Sequence, residues 1–403
     1  MKDINYAWSV SAINRDDLTA FEKWYSVYEN EYSDKEICIW GAGIRGTEFG
    51  VFLKWHDNDR FVYVDNNEEK WEGHIDGALI MSPQEGMQKV KSGEAIILIS
   101  TENYQGIKNQ LEDYGLEFNK DFFIAHNFEY ENYVKEFNRE ANCKYMVMGD
   151  CLFSGISIQD SCRVNLAEMI REELGEDKCR VLYMHGMGIR SYYNIFKLYC
   201  ESHDFPECIE IMINFDTLTG MQHLLPRSQH SQLFDLLKEN VEKTNVEFDE
   251  YINVVHERSN NIQTEMSHSS NKLTKEQEHY LKNRNYLKIN YMYELDEKVE
   301  GLVYFRKLYE YATLNGIKVI AFIPPLNYQF GKEIVGDKLE EAYGKNLEKV
   351  KNMTSELGIE LIDFSHSLTS DYFAEVDTTD ESVNEKGRAY ICSRLVEGFI
   401  KTT

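Results

Sequence analysis

The sequence predicts an α/β protein with two main domains. Apolar runs of strand length alternate with amphipathic runs of helical length along the chain. This alternation is typical of parallel sheets that are covered by helices on both faces. At 403 residues, with 42% hydrophobic and 13% aromatic residues, the chain is long for a single core, which favours two or three domains.

The net charge excludes two classes of partner. The formal charge is −26 at pH 7, so nucleic acid and anionic membrane surfaces would both repel the chain. The acidic residues are spread along the sequence, which indicates a solvated surface rather than an acidic tail. We therefore expect no nucleic-acid partner.

Targeting and cysteine patterns point to a reducing compartment. The first residues, MKDINYAWSVSAINRDD, contain no apolar core of signal-peptide length, and no run approaches the ~20 apolar residues of a membrane span. We expect a cytoplasmic protein with no membrane span. The eight cysteines include no CxxC pair, so we expect neither a disulfide framework nor a zinc site, and no other metal.

A glycine-rich turn follows the first strong strand. The apolar run EICIW leads into Gly41, Gly43 and Gly46 and then a helical run, and a second strand ends at Asp65, 19 residues past Gly46. Glycines at this spacing let the backbone approach a pyrophosphate at a helix N-terminus, and the acid can accept from a ribose hydroxyl. The pattern predicts a Rossmann-like domain.

Two interpretations of this turn remain open. In one, the domain binds a nucleotide, NAD or a nucleotide-sugar through Gly41, Gly43, Gly46 and Asp65. In the other, the glycines only allow close packing of the helix on the strand, and Asp65 only starts a turn. The segment is too short for both halves of a dehydrogenase and contains no Tyr-x-x-x-Lys, so hydride transfer is a minority interpretation.

The remaining elements follow in order. We expect a helical lead-in at 1–35, a Rossmann-like domain at 36–130, a linker at 131–143 and a second domain at 144–403. The strands of the second domain are the apolar runs YMVMG, CRVLYMHGMG, CIEIMINFD, IKVIAFIPP and IELIDF, with helical runs between them. Long, polar, helix-prone sequence at about 225–300 predicts a helical insertion.

Both domains resemble known families. Residues 36–130, through WGAGIRG, VYVDNNEEKWEGHIDGALIMSP and IILISTENYQGI, resemble the Rossmann-like domains attached to surface-polysaccharide enzymes. Residues 144–403 resemble the SGNH, or GDSL-type, hydrolase and acyltransferase superfamily. That resemblance implies a flavodoxin-like three-layer α/β/α sandwich, with the site at the carboxyl ends of the strands.

Three blocks carry the second resemblance over to specific residues. In VMGDCLFSG, Cys151 stands where the family has its nucleophilic serine, and Asp150 beside it is expected to organise the turn. In YMHGMGIRS, the resemblance implies an oxyanion glycine, which is Gly188 or alternatively Gly186. In IMINFDTL, it implies that Asn214 contributes to the oxyanion hole.

The fourth block, VDTTDESVNEKG, departs from the family pattern. Thr379 stands in place of the catalytic aspartate and Ser382 in place of the histidine. Losing the histidine would disable a serine nucleophile, whereas a thiol with a free pKa of about 8.5 depends less on a base. His185 and His366 are the candidate replacement bases.

Three residues are candidates to orient such a base, namely Asp363, Asp377 and Asp380. Each of the two histidines also has a purely structural interpretation.

Three functions are consistent with these patterns. The first is an acyltransferase or acyl hydrolase with Cys151 as nucleophile, which uses an acyl thioester carried by coenzyme A or an acyl carrier protein and acts on a sugar or other small acceptor in surface-polysaccharide or secondary metabolism. The second is a catalytically silent domain that binds a glycan or partner beside a nucleotide-binding module. The third makes the N-terminal domain the enzyme.

Overall fold

The computed structural model describes residues 12–14, 21, 24–25, 27–101, 104–139, 142–157, 159–218, 229–260, 274–379 and 381–402. The chain divides into two compact units, Met1–Asn132 and Tyr133–Thr403. Each unit contains a sheet whose strands are all or mostly parallel. The predicted α/β class is therefore confirmed.

The first unit is built on a six-stranded sheet. Residues 21, 24–25 and 27–31 are helical and lie in the segment predicted as a helical lead-in. A short strand, β1 (Ala12–Asn14), lies outside this sheet. The six strands of the sheet are β2 (Glu36–Trp40), β3 (Phe61–Val64), β4 (His74–Ile75), β5 (Ala78–Met81), β6 (Ala95–Ile99) and β7 (Phe122–Ile124). The sheet has the order β4-β5-β3-β2-β6-β7, and its pairs are parallel except β4 with β5.

Helices connect these parallel strands. They are α1 (Ile44–Trp55), α2 (Pro83–Lys91), α3 (Gln105–Asp113) and α4 (His126–Phe137), the last of which runs past the boundary of the unit. The start of α2 shows how sequence sets an end: Ser82 and Glu85 form a reciprocal capping box, and Pro83 occupies a position where no N–H is needed.

The second unit is built on a five-stranded parallel sheet. Its strands are β8 (Tyr145–Gly149), β10 (Cys179–Tyr183), β11 (Cys208–Met212), β12 (Lys318–Ile323) and β13 (Glu360–Asp363), and a short strand, β9 (Gly155–Ser157), follows β8. The sheet has the order β10-β8-β11-β12-β13. Counted within the sheet, this is 2-1-3-4-5, the doubly wound order in which ligands bind between the first and third strands. That switch point lies between β8 and β11.

Ten helices of the second unit are described. They are α5 (Leu166–Leu174), α6 (Ile189–Ser202), α7 (Phe215–Leu218), α8 (Ser231–Glu239), α9 (Val246–Asn260), α10 (Lys275–Asn290), α11 (Glu300–Leu314), α12 (Tyr328–Val335), α13 (Lys338–Glu356) and α14 (Glu385–Thr402). Helices α8 to α10 lie between β11 and β12, in the segment predicted as a helical insertion. No helix in the described ranges is long and apolar enough to cross a membrane.

A buried ion pair fixes the start of α14. Arg388 is fully buried and donates to Asp160 at 2.6 Å. Its guanidinium also donates to the carbonyls of Cys162 and Val164. A buried arginine with this many partners ties the segment after β9 to the helix that follows the fourth sequence block.

Candidate functional site

The switch point begins with a tight turn after β8. Gly149 has no room for a side chain, because a Cβ there would lie 2.1 Å from Cε2 of Phe153. Asp150 follows, and its Oδ1 accepts from the backbone N–H of Leu152 at 3.1 Å. The carboxylate therefore organises the turn, as expected from the sequence, and Cys151 opens the 3-10 turn Cys151–Phe153.

The same carboxylate belongs to a buried network. Asn214, just after β11, donates from Nδ2 to Asp150 Oδ2 at 2.6 Å and to Glu381 Oε2 at 2.7 Å. Tyr291 donates its hydroxyl to Glu381 Oε1. Asp150, Asn214 and Tyr291 are each 1% exposed and Glu381 is 5% exposed. Two carboxyl groups thus share one amide at the switch point, away from water.

Burial raises the pKa of both acids. Burial raises the pKa of Asp150 to about 6, against the opposing effect of hydrogen bonds from Asn214, Leu152 and Cys151. Burial also raises the pKa of Glu381 well above its usual range, and the carboxylates of Asp216 and Asp150 add to that rise. Paired carboxyls in a low-dielectric site are a typical arrangement for holding and moving a proton near neutral pH.

Cys151 lies at the edge of this network. Its side chain is partly exposed, and it is one of the hydrogen-bonding groups that oppose the burial-induced rise in the pKa of Asp150. A carboxylate beside a thiol can accept the thiol proton, so a histidine is not required as the base.

The two predicted oxyanion groups lie in neighbouring segments. Gly188 is the N-cap of α6, and a Cβ placed on it would meet only the carbonyl oxygen of Thr217, at 3.9 Å. Thr217 in turn donates from Oγ1 to the carbonyl of Asn214. Gly186, the alternative, has a φ of +66° that favours glycine. Gly188 is therefore close to the backbone of Thr217, in the segment that begins with Asn214.

The Asn214 amide is already engaged. Both of its described donor bonds go to carboxylates, and its Oδ1 accepts from the backbone N–H of Asp216 at 3.1 Å. As an oxyanion donor, Asn214 would have to release one of these two carboxylates.

The candidate bases have other surroundings. His366 is exposed, its Nδ1 lies 2.8 Å from Ser365 Oγ, and its ring packs edge-on against Tyr328. The described hydrogen bond of His366 is therefore to Ser365 and not to the thiol. The His185 side chain is exposed, and its backbone carbonyl accepts from His230 Nε2 at 2.7 Å.

The orienting acids and the fourth block are spread out. Asp363 pairs with Lys351 at 3.0 Å, and Asp377 lies 3.5 Å from His279. The backbone oxygen of Ser382 accepts from the Ala374 N–H. The buried Thr379 donates to Asn283 from both its N–H and its hydroxyl. Asp380 lies outside the described residues.

Sequence reasoning missed Glu381 and Asp216. Glu381 belongs to the fourth block, between the two residues taken as replacements, and its side chain is the one that reaches Asn214. Asp216 follows Asn214 by two residues. The position of Asp216 soon after the end of β11 was a signal in the sequence, whereas Glu381 is far from any strand end and is placed by long-range contacts.

The glycine turn of the first unit is tightly packed at two of its three glycines. Gly41 has a φ of +118°, and a Cβ on Gly46 would lie 1.8 Å from the Gly41 carbonyl oxygen, so both positions require glycine. Gly43 is the N-cap of α1 and has open space around it. The close contact of α1 with the Gly41 carbonyl explains why position 46 is a glycine. The space around Gly43 leaves the N-terminus of α1 accessible.

Asp65 is held by the turn itself. Its Oδ2 accepts from the Ala42 N–H at 2.9 Å and from Lys70 Nζ at 2.8 Å, and its Oδ1 accepts from the Asn67 N–H at 2.9 Å. A ribose hydroxyl would have to compete with Lys70 for this carboxylate. Within the described residues, no group of three or more His, Cys, Asp or Glu side chains is arranged to hold a metal ion.

Comparison with known proteins gives no matching family model and no matching curated relative. The functional argument therefore depends on the site itself.

Proposed function

We propose that the second unit is an acyltransferase or acyl hydrolase in which Cys151 is the nucleophile and Asp150 its proton acceptor. The observation that carries this proposal is the position of Cys151, directly after Asp150 of the buried Asp150–Asn214–Glu381 network and at the switch point of the sheet. The SGNH-like order of the sequence blocks supports the same assignment.

The acid has a suitable proton affinity for this role. Burial raises the pKa of Asp150 to about 6, whereas a free carboxyl group has a value near 3.9. A base is most effective when its pKa lies close to the working pH, so the raised value brings Asp150 into the useful range. Taking the thiol proton generates the thiolate, which is the reactive form of cysteine.

The attack develops negative charge on the carbonyl oxygen of the acyl donor. The start of α6, where Gly188 leaves open space, is the candidate site for this charge, because a helix N-terminus carries unsatisfied donors and positive potential. Asn214 contributes only if it exchanges one carboxylate for the oxyanion. The C–S bond of the donor then breaks, and the leaving thiolate takes the proton from Asp150 and departs as a free thiol. The acyl group stays bound to Cys151 until water or an acceptor removes it.

The donor and acceptor are assigned by class. An acyl thioester, carried by coenzyme A or an acyl carrier protein, suits transfer to a thiol because one thioester is exchanged for another. The acceptor is a sugar or another small molecule, or water in the hydrolase case. The Rossmann-like unit is the candidate module for a nucleotide or nucleotide-sugar, with Gly43 at its approachable helix N-terminus.

Acylation of the intact chain tests the proposal directly. The protein is mixed with phenyl thioacetate, and the acetylated residue is located by mass spectrometry. We expect acetyl on Cys151 and none after Cys151→Ala. Cys162→Ala is the matched control, because Cys162 is an exposed free cysteine, and it should leave acetylation of Cys151 unchanged. Labelling that persists in Cys151→Ala contradicts the proposal and favours a silent binding domain.

A further inference from the structure

Two arginines of the second unit share one carboxylate. Arg190, in the first turn of α6, donates from Nη1 to Glu300 Oε2 at 3.1 Å. Arg258, near the end of α9, donates to both oxygens of the same carboxylate, at 3.2 and 2.9 Å. Arg190 is partly exposed, and among the described residues its Nε has no hydrogen-bond partner. A guanidinium group has five N–H donors, so Arg190 keeps donors that Glu300 does not use.

Two lysines share a second carboxylate. Lys197 Nζ lies 2.9 Å from Glu247 Oε2, and Lys307 Nζ lies 3.7 Å from Glu247 Oε1. Tyr193 also donates its hydroxyl to Glu247 Oε2 at 2.9 Å. We call the six charged side chains of these ion pairs the cationic cluster: Arg190, Lys197, Glu247, Arg258, Glu300 and Lys307. Within the cluster, four cations share two carboxylates, so positive charge exceeds negative charge.

Tyrosine rings connect the two pairs of cations. The guanidinium carbon of Arg190 lies 4.8 Å from the ring centroid of Tyr251 and 4.9 Å from that of Tyr304. The ammonium nitrogen of Lys307 lies 4.6 Å from the centroid of the same Tyr304 ring. Tyr304 therefore contacts one cation of each pair. A tyrosine ring attracts a cation through its π face but carries no opposite net charge, so these rings hold the cations in place without neutralising them.

The cationic cluster lies beside the segments that carry the candidate site. Arg190 follows the open Gly188 by two residues. Glu300 begins α11, and a Cβ on the next residue, Gly301, would lie 2.3 Å from Cδ2 of Leu218 in α7, the helix that follows β11. The chain as a whole has a formal charge of −26, so a local excess of positive charge is an exception on this protein. Such an excess attracts anions to the neighbourhood of the switch point.

We propose that the cationic cluster binds the phosphate groups of the acyl donor, and that the donor is a thioester of the coenzyme A class. The inference rests on the acyl-transfer function proposed above and names its donor. Guanidinium and ammonium groups are the side chains that best bind phosphate, through charge-assisted hydrogen bonds. Two pairs of cations match a carrier with more than one phosphate group. The prosthetic arm of an acyl carrier protein has a single phosphate and would leave one pair unused.

Two donors with the same thioester test the phosphate site. Acetyl-coenzyme A and acetyl-pantetheine offer the same acyl group to Cys151, but only the first carries phosphates. Well below saturation, we expect acetyl-coenzyme A to acetylate Cys151 at least about tenfold faster. Lys307→Gln and Arg190→Gln should each lower the ratio of the two rates about tenfold, because each removes one charged partner of the phosphates. Using the ratio removes any effect of the substitution on folding or on the thiol itself.

Lys120→Gln is the matched control. Lys120 is an exposed lysine of the first unit that pairs with Glu117 at 2.8 Å, so the substitution changes the net charge equally but lies outside the cationic cluster. It should leave the ratio unchanged. Equal rates for the two donors in the parent protein, or an unchanged ratio in both Lys307→Gln and Arg190→Gln, overturns the phosphate site. Acetylation by acetyl-phosphopantetheine as fast as by acetyl-coenzyme A overturns the coenzyme A class, because one phosphate would then suffice.

Binding of the carrier alone separates this inference from the function beneath it. Calorimetry on the full chain compares coenzyme A with pantetheine. Tighter binding of coenzyme A, weakened about tenfold in Lys307→Gln and Arg190→Gln, supports the phosphate site. Equal affinity for the two carriers, with Cys151 acetylated by both donors, overturns the phosphate site and leaves acyl transfer intact. Absence of acetyl-Cys151 with every donor overturns the acyl-transfer function, and the calorimetric comparison then still decides whether the cationic cluster binds phosphate.

Discussion

An aspartate follows a buried strand in each unit, and the two aspartates have opposite surroundings. Asp65 accepts from two backbone N–H groups and pairs with Lys70, so its charge is neutralised within the turn. Asp150 is 1% exposed, and a second acid, Glu381, bonds to the same asparagine. The Asp65 carboxylate stabilises a loop, whereas the Asp150 carboxylate is buried and has a raised pKa.

This contrast separates a stabilising site from a reactive one. Buried like-charged groups lower stability, and they persist where their altered proton affinity is useful. Substitutions in the first unit should therefore act on folding, and substitutions at the β8–β11 switch point should act on chemistry. All five tryptophans precede residue 133, so tryptophan fluorescence follows the unfolding of the first unit alone.

The largest effect is expected from Gly46→Ala. The new Cβ would lie 1.8 Å from the Gly41 carbonyl oxygen, and the backbone has to move to relieve this clash. We expect a loss of more than about 4 kcal/mol in the free energy of unfolding of the first unit. Urea unfolding followed by tryptophan fluorescence measures it.

Gly43→Ala is the matched control. A Cβ at Gly43 meets nothing within 4 Å, and its φ of −120° suits any residue. Its unfolding free energy should stay within about 0.5 kcal/mol of the parent. If both substitutions destabilise equally, the close contact of α1 with Gly41 is not what requires the glycine.

Asp150→Asn should reduce acylation of Cys151 by about 10²- to 10³-fold, because it removes the proton acceptor at nearly constant shape. In the parent protein, Asp150 must be ionised to accept the thiol proton. The rate should therefore rise as pH increases through about 6 and then level off, and this rise should be absent in the variant. Rates of acetylation by phenyl thioacetate between pH 4.5 and 8 test this.

A pH profile that keeps its inflection near 6 in Asp150→Asn would assign the proton acceptor to another group. His366→Ala is a useful control, because its described hydrogen bond is to Ser365, and it should leave the rate and its inflection unchanged.

The sequence predicted the strands and the turn glycines because these follow from local pattern. Apolar runs of strand length mark the core of both sheets, and Gly46 is required by contacts within its own strand-turn-helix unit. The roles of the acids do not follow from local pattern. The sequence around Asp65 does not indicate that Lys70, five residues later, forms an ion pair with the Asp65 carboxylate.

The prediction from the fourth sequence block missed Glu381 for a related reason. Glu381 and Ser382 directly precede Val383, which forms a bridge with Phe373, and of these two residues it is Glu381 whose side chain bonds to Asn214. Glu381 is selected by contacts with Asn214 and Tyr291, which lie 167 and 90 residues away in sequence. Long-range placement of this kind is invisible in a single sequence, so register with a family pattern pointed to its neighbours instead.

Glu210 tests the cost of buried acid away from the site. It is fully buried in β11, and neither of its oxygens has a hydrogen-bond partner among the described residues. Burial raises the pKa of Glu210 well above its usual range. As pH rises above the unfolded value of about 4.3, the unfolded chain releases this proton and the folded chain retains it, so stability falls with pH.

Glu210→Gln removes this proton at nearly constant size. The stability of the variant relative to the parent should grow by about 1.4 kcal/mol per pH unit above pH 5, until the folded pKa is reached. Urea unfolding at pH 5, 6 and 7, followed by hydrogen exchange within residues 133–403, measures the difference. Parallel stability curves for variant and parent would show that Glu210 is ionised in the folded protein.

The smallest effect is expected from Asp65→Asn. The substitution keeps an acceptor for one of the two N–H bonds and loses the ion pair with Lys70, whose side chain is 25% exposed. Because solvent screens such a pair, we expect a loss of only about 1 kcal/mol in the unfolding free energy of the first unit. Acylation of Cys151 should be unchanged, in contrast to Asp150→Asn. A loss of acylation in Asp65→Asn would mean that the two aspartates serve one function, and the distinction between a loop-holding and a proton-accepting carboxylate would then fail.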